Sequence, residues 1–538
     1  MRREKQLAKL KDGSRYDLLV IGGGATGCGV ALDAATRGLK VALIEKNDFS
    51  EGTSGRSTKL VHGGVRYLEM AIKRLDRVQY NLVRDGLHER GLLLQNARHL
   101  ANRLALVTPL YKWLDVPYIF AGLKFYDLLA GKLNIGHSRL LSRREALRRF
   151  PGLKAEGLKA GVLYYDGQFH DARMALSLAL TAGHHGATIC NHVAATELLK
   201  EGDKICGAQL TDSLNGESWS LHAHGVINAT GPFVDGIRLL DNPAAKRIIT
   251  TSTGIHIALD KRFAPPDTGL MIPETDDGRV LFVLPWEDHA LVGTTDEPAE
   301  LSEHPQPLES EIAYLLRHVG RYFNLRVERS DVKAVWSGLR PLVADPQAAD
   351  TAHLARDHVI ETSPSGLLTI AGGKWTTYRK MAEHTVDHAL TTFGLEAPHP
   401  ACRTEHLPII GSALYEDDGD RTLMEKHGFA ADIAAYLNRT YGDQAAKIAA
   451  LAEGDYAERL ATGHPVIAAE ALFAVRHEMA ERVIDILARR MPLALLDRAA
   501  AHTAAPRVLE IMARELGWDE QRCIIEKEWT EERLTKAL

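Results

Sequence analysis

YDLLVIGGGATGCG, residues 16–29, determines the class of fold, because an apolar run leads directly into a glycine-rich turn. The run at residues 16–21 is short and almost wholly apolar, which predicts a buried parallel strand. Residues 28–37 predict an alanine-rich helix that ends at Gly38, and residues 40–45 predict a second buried strand. Together they predict a right-handed βαβ unit.

The turn in this unit carries the glycine spacing of a dinucleotide site. Gly22, Gly24 and Gly27 permit a tight turn, close approach of a pyrophosphate, and close packing of the helix on the strand. Glu45 stands 18 residues after Gly27, where a carboxylate binds ribose hydroxyls. The alternative is a purely structural role, in which the glycine-rich turn only packs the helix. The fingerprint itself does not distinguish NAD from FAD.

Composition limits the other possibilities. The chain has 538 residues, enough for two to four domains, and its apolar fraction of 45% is typical of a globular protein. The net charge of −5 gives no reason to bind nucleic acid. The basic residues 1–15 contain no apolar core, so they do not resemble a signal peptide. The five scattered cysteines predict neither a disulfide framework nor a zinc site.

The pattern of the chain changes along its length. Residues 248–293 alternate apolar and polar positions in short runs, which predicts an antiparallel sheet. After about residue 396 the strand signals fade, so we expect a separate helical domain at 396–538. Within it, Leu472, Val475, Met479, Val483 and Ile486 fall on one face of a predicted helix.

Four motifs in order along the chain resemble the FAD-dependent glycerol-3-phosphate dehydrogenase family. They are KLVHGGVRYLE at 59–69, NATGP at 228–232, SGLRPL at 337–342 and GGKWTTYRK at 372–380. The resemblance implies an α/β fold with a Rossmann-like FAD-binding domain at 14–395, an antiparallel-sheet substrate domain inserted at roughly 246–355, and an all-helical C-terminal domain at 396–538.

The resemblance also implies the reaction. FAD would oxidise sn-glycerol 3-phosphate to dihydroxyacetone phosphate by hydride transfer, and the electrons would pass to quinone. No obvious insertion of the kind found in the oxygen-reducing branch is present, which favours quinone. Two alternatives remain: another flavin oxidoreductase of the superfamily, such as a 2-hydroxyacid or amine oxidase, and a non-catalytic flavin-binding regulator.

This chemistry needs a base for the C2 hydroxyl and cations for the phosphate. The resemblance assigns catalytic roles to His256, Arg340 and Lys374, and substrate binding to Arg66, Arg340, Arg356 and Lys374. Histidine is the natural base near neutral pH, but an arginine-assisted water is a second possibility. Without the resemblance, each arginine would be read as a surface charge and His256 as a hydrogen-bonded core histidine.

The predicted FAD-binding residues lie in the glycine turn, in the hydroxyl-rich run after Glu45, and after two later strands. From composition alone that run is equally compatible with an ordinary polar surface loop. The predicted set is Gly22, Gly24, Gly27, Glu45, Thr53, Ser57, Thr58, Lys59, His62, Gly231, Gly373, Lys374 and Thr376. No metal site is predicted, because His477-Glu478 lacks the second histidine of a zinc-protease helix.

Residues 111–126 are rich in aromatic side chains and have lysines within or beside them. Such a segment suits a membrane interface, with rings at the headgroup level and lysines reaching phosphates. The alternatives are a packed core or a homodimer contact. By resemblance to the family's peripheral dehydrogenases, we expect a cytoplasmic protein attached to the inner face of the cell membrane.

Overall fold

The computed structural model describes residues 1–64, 77–343 and 358–536. Arg66 and Arg356, two of the predicted substrate-binding arginines, lie outside the described residues.

The described strands, in chain order, form two sheets. They are β1 (Tyr16–Ile21), β2 (Val41–Ile44), β3 (Leu60–Val61), β4 (Ala101–Leu110), β5 (Arg139–Ser142), β6 (Ala160–Phe169), β7 (Thr188–Cys190), β8 (Val193–Glu201), β9 (Lys204–Asp212), β10 (Ser218–Asn228), β11 (Ile249–Asp260), β12 (Thr268–Ile272), β13 (Leu281–Trp286), β14 (His289–Gly293), β15 (Glu297–Pro298), β16 (Val332–Val343), β17 (His358–Thr362) and β18 (Leu367–Gly372).

The described helices cover the sheets and form the C-terminal region. They are α1 (Arg3–Leu10), α2 (Ala25–Thr36), α3 (Arg77–Asn96), α4 (Asp115–Ala130), α5 (Arg143–Arg149), α6 (Asp171–His184), α7 (Val234–Asp241), α8 (Glu309–Tyr322), α9 (Tyr378–Phe393), α10 (Gly419–His427), α11 (Ala431–Tyr441), α12 (Ala445–Leu451), α13 (Ala468–His477), α14 (Val483–Asp485), α15 (Leu493–Leu496), α16 (Arg498–Leu516) and α17 (Glu520–Thr535).

The first sheet is the predicted nucleotide-binding sheet. Its strands run in the order β17-β18-β10-β1-β2-β7, and β18, β10, β1, β2 and β7 are mutually parallel. Helices α2, α6 and α9 pack together beside it. Their small, apolar side chains allow close contact with the strands, and Leu18, Val20, Val41 and Leu43 are fully buried between the layers. The βαβ unit predicted at residues 16–45 is therefore present.

The second sheet includes the region predicted as the substrate domain, and we call it the substrate sheet; it extends beyond residues 246–355. Its path is β15-β11-β14-β13-β12-β4-β6-β3, with β16 on β11 and β5 on β6. The predicted insertion at 246–355 thus accounts for only part of the sheet, since β3 to β6 come from residues 60–169. All described pairs are antiparallel except β12 with β4. The strands at 101–169 escaped prediction because they are interrupted by helices and an aromatic segment.

The C-terminal region is helical, but its pattern differs from the predicted helix through residues 472–486. Helix α13 ends at His477, and Met479 adopts a left-handed conformation with φ of 54°. The chain then forms α14 and a π-helical turn at Ile486–Arg490. The five apolar residues of the predicted face are all buried, as expected. The helix itself is interrupted between His477 and Val483.

Within the described ranges, no helix combines the length and the apolar character needed to cross a bilayer.

Candidate active site

The carboxyl ends of the parallel strands place the predicted FAD-binding segments together. Ile21 pairs with Asn228 and Ile44, and Asn228 pairs with Thr369 on β18. The segments that follow these strands therefore share one edge of the sheet. They contain the Gly22–Gly27 turn, Glu45, Gly231 and Gly373. In open α/β sheets, ligands bind in the crevice at this edge.

The three fingerprint glycines each meet a different steric demand. A Cβ on Gly22, at φ of 115°, would lie 2.6 Å from the Ala229 carbonyl oxygen. A Cβ on Gly27 would lie 1.8 Å from the Gly22 oxygen, so only glycine lets α2 approach β1 this closely. A Cβ on Gly24 would lie 3.1 Å from Ser54 Oγ and 4.0 Å from Ser54 Cβ, so its near neighbours belong to a side chain and not to the backbone. Gly24 directly precedes α2, and its lack of a side chain leaves the N-terminus of this helix accessible to a pyrophosphate.

Glu45 lies directly after β2 and faces the glycine turn. Its Oε2 accepts a hydrogen bond of 2.6 Å from the Gly23 N–H, and its Oε1 accepts one of 3.0 Å from the Asn47 N–H. The carboxylate is therefore held beside the turn, where ribose hydroxyls would be bound.

Residues 53–59 form a bridge between the glycine turn and the substrate sheet. The Ser54 hydroxyl accepts a hydrogen bond of 2.9 Å from the Ala25 N–H at the start of α2. The Thr53 hydroxyl donates to the Leu339 oxygen at 2.6 Å, and the Trp375 indole N–H donates to the Ser54 oxygen at 2.9 Å. This segment is therefore part of the site and not a detached surface loop.

Two of the predicted FAD contacts in this segment have structural partners. The Lys59 ammonium is fully buried and donates to Asp171 Oδ1 at 2.6 Å and to the Gly55 oxygen at 2.8 Å. It also lies 5.0 Å from the Trp286 ring centroid and 5.6 Å from that of Trp336. The Ser57 N–H donates to the other Asp171 oxygen. The Lys59 ammonium thus anchors the segment to Asp171 and Gly55.

The ladder of β11 and β16 brings the two main catalytic candidates to one face. His256 pairs with Trp336, Gly254 with Gly338, and Ser252 with Arg340. Residues two positions apart share a face of a strand, so these three cross-strand pairs lie in a row on one face. The pair Gly254–Gly338 lies between His256 on β11 and Arg340 on β16. A Cβ on Gly254 would lie 2.2 Å from Arg340 Nη2, so the guanidinium occupies the space above this glycine.

Arg340 is held in a fixed orientation. Its Nη1 donates to Asp296 Oδ1 at 2.9 Å and to the Thr253 oxygen at 3.2 Å. Its Nη2 donates to Thr294 Oγ1 at 2.9 Å and to the Thr295 oxygen at 2.8 Å. The side chain keeps 23% of its exposure. A partly exposed and oriented guanidinium suits recognition of a phosphate or an alkoxide.

His256 is a buried, neutral imidazole. It is 2% exposed and stacks on Trp336 at a centroid distance of 5.4 Å. Its Nε2 lies 2.9 Å from the Thr58 hydroxyl, and its Nδ1 has no hydrogen-bond partner. Burial lowers the pKa of His256 well below 6.5, and the positive charges of Lys59 and Arg340 lower it further. The uncharged form that a base requires is therefore the stable one.

The remaining predicted residues converge from β18 and the loop at 62–64. Gly373 has φ of 79°, and Lys374 caps the short helical turn Trp375–Thr377 that leads into α9. The Thr376 hydroxyl lies 3.3 Å from both the nitrogen and the oxygen of His62, which joins the two loops. Gly231, at φ of 58°, has open space around its Cβ position.

The residues present fit FAD. Gly24 at the start of α2, the oriented Glu45 carboxylate and the glycines at 231 and 373 supply what a pyrophosphate and a ribose need. The Nδ1 of His256 is a buried polar atom without a hydrogen-bond partner, which a ligand in the site could satisfy.

Sequence reasoning missed three residues that shape the site: Asp171, Asp296 and Trp375. Asp296 follows a strand in the run Thr294-Thr295-Asp296, a polar cluster that could have been recognised as a loop near the site. Asp171 gives no local signal, since its partner Lys59 is 112 residues away. Trp375 stands within a quoted motif, yet its contact with Ser54 depends on the fold alone.

The aromatic segment at 111–126 divides between surface and interior. Trp113, Leu114, Tyr118 and Leu128 are exposed by 65%, 87%, 53% and 72%. Tyr126 is buried, and its hydroxyl lies 2.7 Å from the Gly63 nitrogen and 3.0 Å from Asp166 Oδ1. One side of α4 therefore supports the loop at 62–64, while its other side and the preceding turn present large apolar side chains.

Comparison with known proteins agrees with this geometry. Residues 17–379 match the FAD dependent oxidoreductase family model, and residues 402–523 match the C-terminal domain of alpha-glycerophosphate oxidase. The probable mitochondrial glycerol-3-phosphate dehydrogenase of Caenorhabditis elegans is 47% identical over 98% of this chain and 74% of that protein. The mitochondrial glycerol-3-phosphate dehydrogenase of Mus musculus is 46% identical over 97% of this chain and 73% of that protein.

A solved structure extends the comparison to the fold. The glycerol-3-phosphate dehydrogenase from Bacillus halodurans, complexed with FAD, has a TM-score of 0.80 and 29% identity. The match covers 99% of this chain and 97% of that chain. The similarity thus includes the FAD sheet, the substrate sheet and the C-terminal helices. On this similarity, which extends over nearly all of the chain, it belongs to the family of FAD-dependent glycerol-3-phosphate dehydrogenases.

Proposed function

We propose that this protein oxidises sn-glycerol 3-phosphate to dihydroxyacetone phosphate and passes the electrons to a membrane quinone. The similarity to glycerol-3-phosphate dehydrogenases over nearly all of this chain carries the first part of the proposal. The site supports it, because an oriented arginine and a neutral histidine share one face of the β11–β16 ladder beside the FAD segments.

The groups on this ladder suit the chemistry. Bound FAD would accept a hydride from C2 of the substrate. His256 would take the proton of the C2 hydroxyl, and Arg340 would stabilise the alkoxide or hold the phosphate. Lys374, at the start of a helical turn, would add positive charge on the flavin side. Because Arg340 helps to lower the pKa of His256, a bound phosphate dianion would offset that charge and strengthen the base.

A substrate panel tests this assignment. Purified holoenzyme is mixed anaerobically with glycerol 3-phosphate, glycerol, a 2-hydroxyacid and an amino acid, and bleaching of oxidised flavin is followed. We expect rapid bleaching by glycerol 3-phosphate alone. Faster reduction by a phosphate-free substrate would contradict the proposal, and no bleaching by any substrate would favour a non-catalytic flavin-binding role.

We also propose that the exposed side of α4 attaches the protein to the cytoplasmic face of the cell membrane. Its support is the cluster of Trp113, Leu114, Tyr118 and Leu128, with the exposed Lys124 beside it. Aromatic and leucine side chains enter the interfacial layer, and lysines bind anionic headgroups. A homodimer contact would use the same apolar surface, so the two uses need to be separated by experiment.

A cavity of about 440 Å³ next to this helix supports quinone as the acceptor. Leu92, Leu129 and Leu133 line its apolar side, and Arg84 and His88 supply polar groups. On another side of α3, the Cβ position of Gly86 lies 3.2 Å from Gly63 Cα, in the loop next to the predicted flavin site. A quinone in this cavity would thus lie about one helix diameter, roughly 10 Å, from that loop.

The electron balance is complete. Oxidation of the substrate releases two electrons and two protons, and reduction of one quinone to a quinol consumes them.

To test membrane attachment, we would sediment the protein with anionic vesicles and compare it with the quadruple variant Trp113→Ser, Leu114→Ser, Tyr118→Ser and Leu128→Ser. Loss of vesicle binding with an unchanged mass in solution supports membrane attachment. A change from dimer to monomer with unchanged vesicle binding would contradict it.

A further inference from the structure

A buried group of charges connects the C-terminal helical region with the loop that follows Glu45. Asp48, Asp485 and Arg490 are fully buried, and Arg489 is 6% exposed. Arg489 Nε donates to Asp48 Oδ2 at 2.6 Å, and Arg490 Nη2 donates to Asp48 Oδ1 at 3.0 Å. Arg490 Nη1 also binds Asp48 Oδ2. Both arginines come from the π-helical turn Ile486–Arg490.

The same turn reaches a second carboxylate of the loop. Arg489 Nη2 lies 3.4 Å from Glu51 Oε2 and 2.6 Å from Asp485 Oδ1. Burial alone would raise the pKa of Glu51, but Arg489 and Arg533 hold it below its ordinary value. The side chains of this group are therefore mutually paired. A carboxylate that is buried at such a position is stable only while its partners are in place.

The loop needs an external anchor, since its regular structure is limited to one short turn at Thr53–Gly55. It touches the predicted FAD site at three places. The Ser50 N–H donates to the Gly23 oxygen at 3.0 Å, the Ser54 hydroxyl accepts from Ala25, and Thr53 donates to the oxygen of Leu339. A shift of Asp48 or Glu51 would move all three contacts, because they lie in the same short segment.

We propose that Arg489 and Arg490 are positioning residues for FAD, and that the C-terminal helical region is thereby a structural part of the cofactor site. They act through Asp48 and Glu51, which fix the loop at 46–57 against the glycine turn and against the residue preceding Arg340. This explains why α13 does not continue through the predicted helix: the break lets Arg490 donate to the Glu478 oxygen at 2.7 Å and turn toward Asp48.

The inference rests on FAD binding and does not require the proposed substrate, so it is tested without turnover. Full-length holoenzyme is diluted, and the equilibrium release of FAD is measured from the recovery of flavin fluorescence. The variants are Asp48→Asn, Arg490→Met and Arg490→Lys. The control is Arg476→Met, which breaks a bidentate ion pair with Glu515 inside the C-terminal region, at 2.7 and 2.8 Å, without touching the loop.

We expect Asp48→Asn and Arg490→Met each to raise the Kd of FAD at least tenfold, with Arg490→Lys in between and Arg476→Met within twofold of wild type. The double variant Asp48→Asn/Arg490→Met should raise the Kd of FAD by less than the product of the two single effects, because both substitutions remove the same interaction. If Arg490→Met does not fold, Asp48→Asn decides alone, since it keeps the side-chain volume. A Kd within twofold of wild type for Asp48→Asn, or an equal loss in Arg476→Met, would overturn the proposal.

Discussion

The glycine opposite Gly338 gives the sharpest test of the active-site geometry. We predict that Gly254→Ala lowers kcat/KM for glycerol 3-phosphate about a hundredfold while FAD remains bound. The added Cβ would lie 2.2 Å from Arg340 Nη2, whereas ordinary contact begins near 3.4 Å. The guanidinium must therefore move by about 1.2 Å, and a misplacement of about 1 Å at a catalytic group costs roughly a hundredfold.

Part of the strain will appear as lost stability. The same Cβ would lie 2.6 Å from the Thr295 carbonyl oxygen, so the backbone must adjust as well. Overpacking of this kind costs about 1–3 kcal/mol. The assay is therefore steady-state kinetics with parallel thermal unfolding and flavin content. Gly320→Ala, in the substrate domain, is the matched control, because its Cβ would meet no atom within 4 Å.

A second comparison separates displacement of Arg340 from a general effect. In an Arg340→Ala background, Gly254→Ala should lower kcat/KM by less than threefold, since the group that it displaces is gone. The reasoning is refuted if Gly254→Ala keeps kcat/KM within threefold of wild type, or if it is equally damaging with and without Arg340.

Three further predictions follow from the same structure. Gly24→Val should yield apo-protein, because a branched side chain would fill the space that faces Ser54; absorbance of the purified protein checks this. Asp171→Asn should lower the free energy of unfolding by about 3–5 kcal/mol in urea titrations, since Lys59 would stay buried without a charged partner. Burial lowers the pKa of His99 to about 3. Between about pH 6.5 and pH 3, His99 is therefore protonated in the unfolded chain but not in the folded chain. The free energy of unfolding should fall as the pH is lowered through this range. His99→Gln should flatten this dependence, and an unchanged slope would contradict it.

The sequence predicted the FAD unit well, because its signals are local. The run at 16–27 and Glu45 lie within 30 residues, and the turn needs glycines because side chains there would contact neighbouring atoms too closely. The substrate sheet was predicted only in part. Strand β4 pairs with both β12 and β6 across 50 residues or more, and such pairings leave little trace in a single sequence.

The catalytic candidates illustrate the same limit. The motifs identify His256 and Arg340, but only the register of β11 with β16 shows that two glycines separate them. Lys59 lies in the most specific motif, and its ammonium pairs with Asp171, which is 112 residues away. A motif records that a side chain is required; the partner that requires it is set by distant parts of the chain.

The interleaving of the two sheets has a consequence for motion. Along the described strands, the chain goes from β1 and β2 to the substrate sheet, returns for β7 to β10, leaves again for β11 to β16, and comes back for β17 and β18. A hinge is easiest where few covalent connections join two bodies. With four such connections, a wide rigid-body swing would bend all of them at once, so entry of substrate must be accommodated by side chains and surface loops.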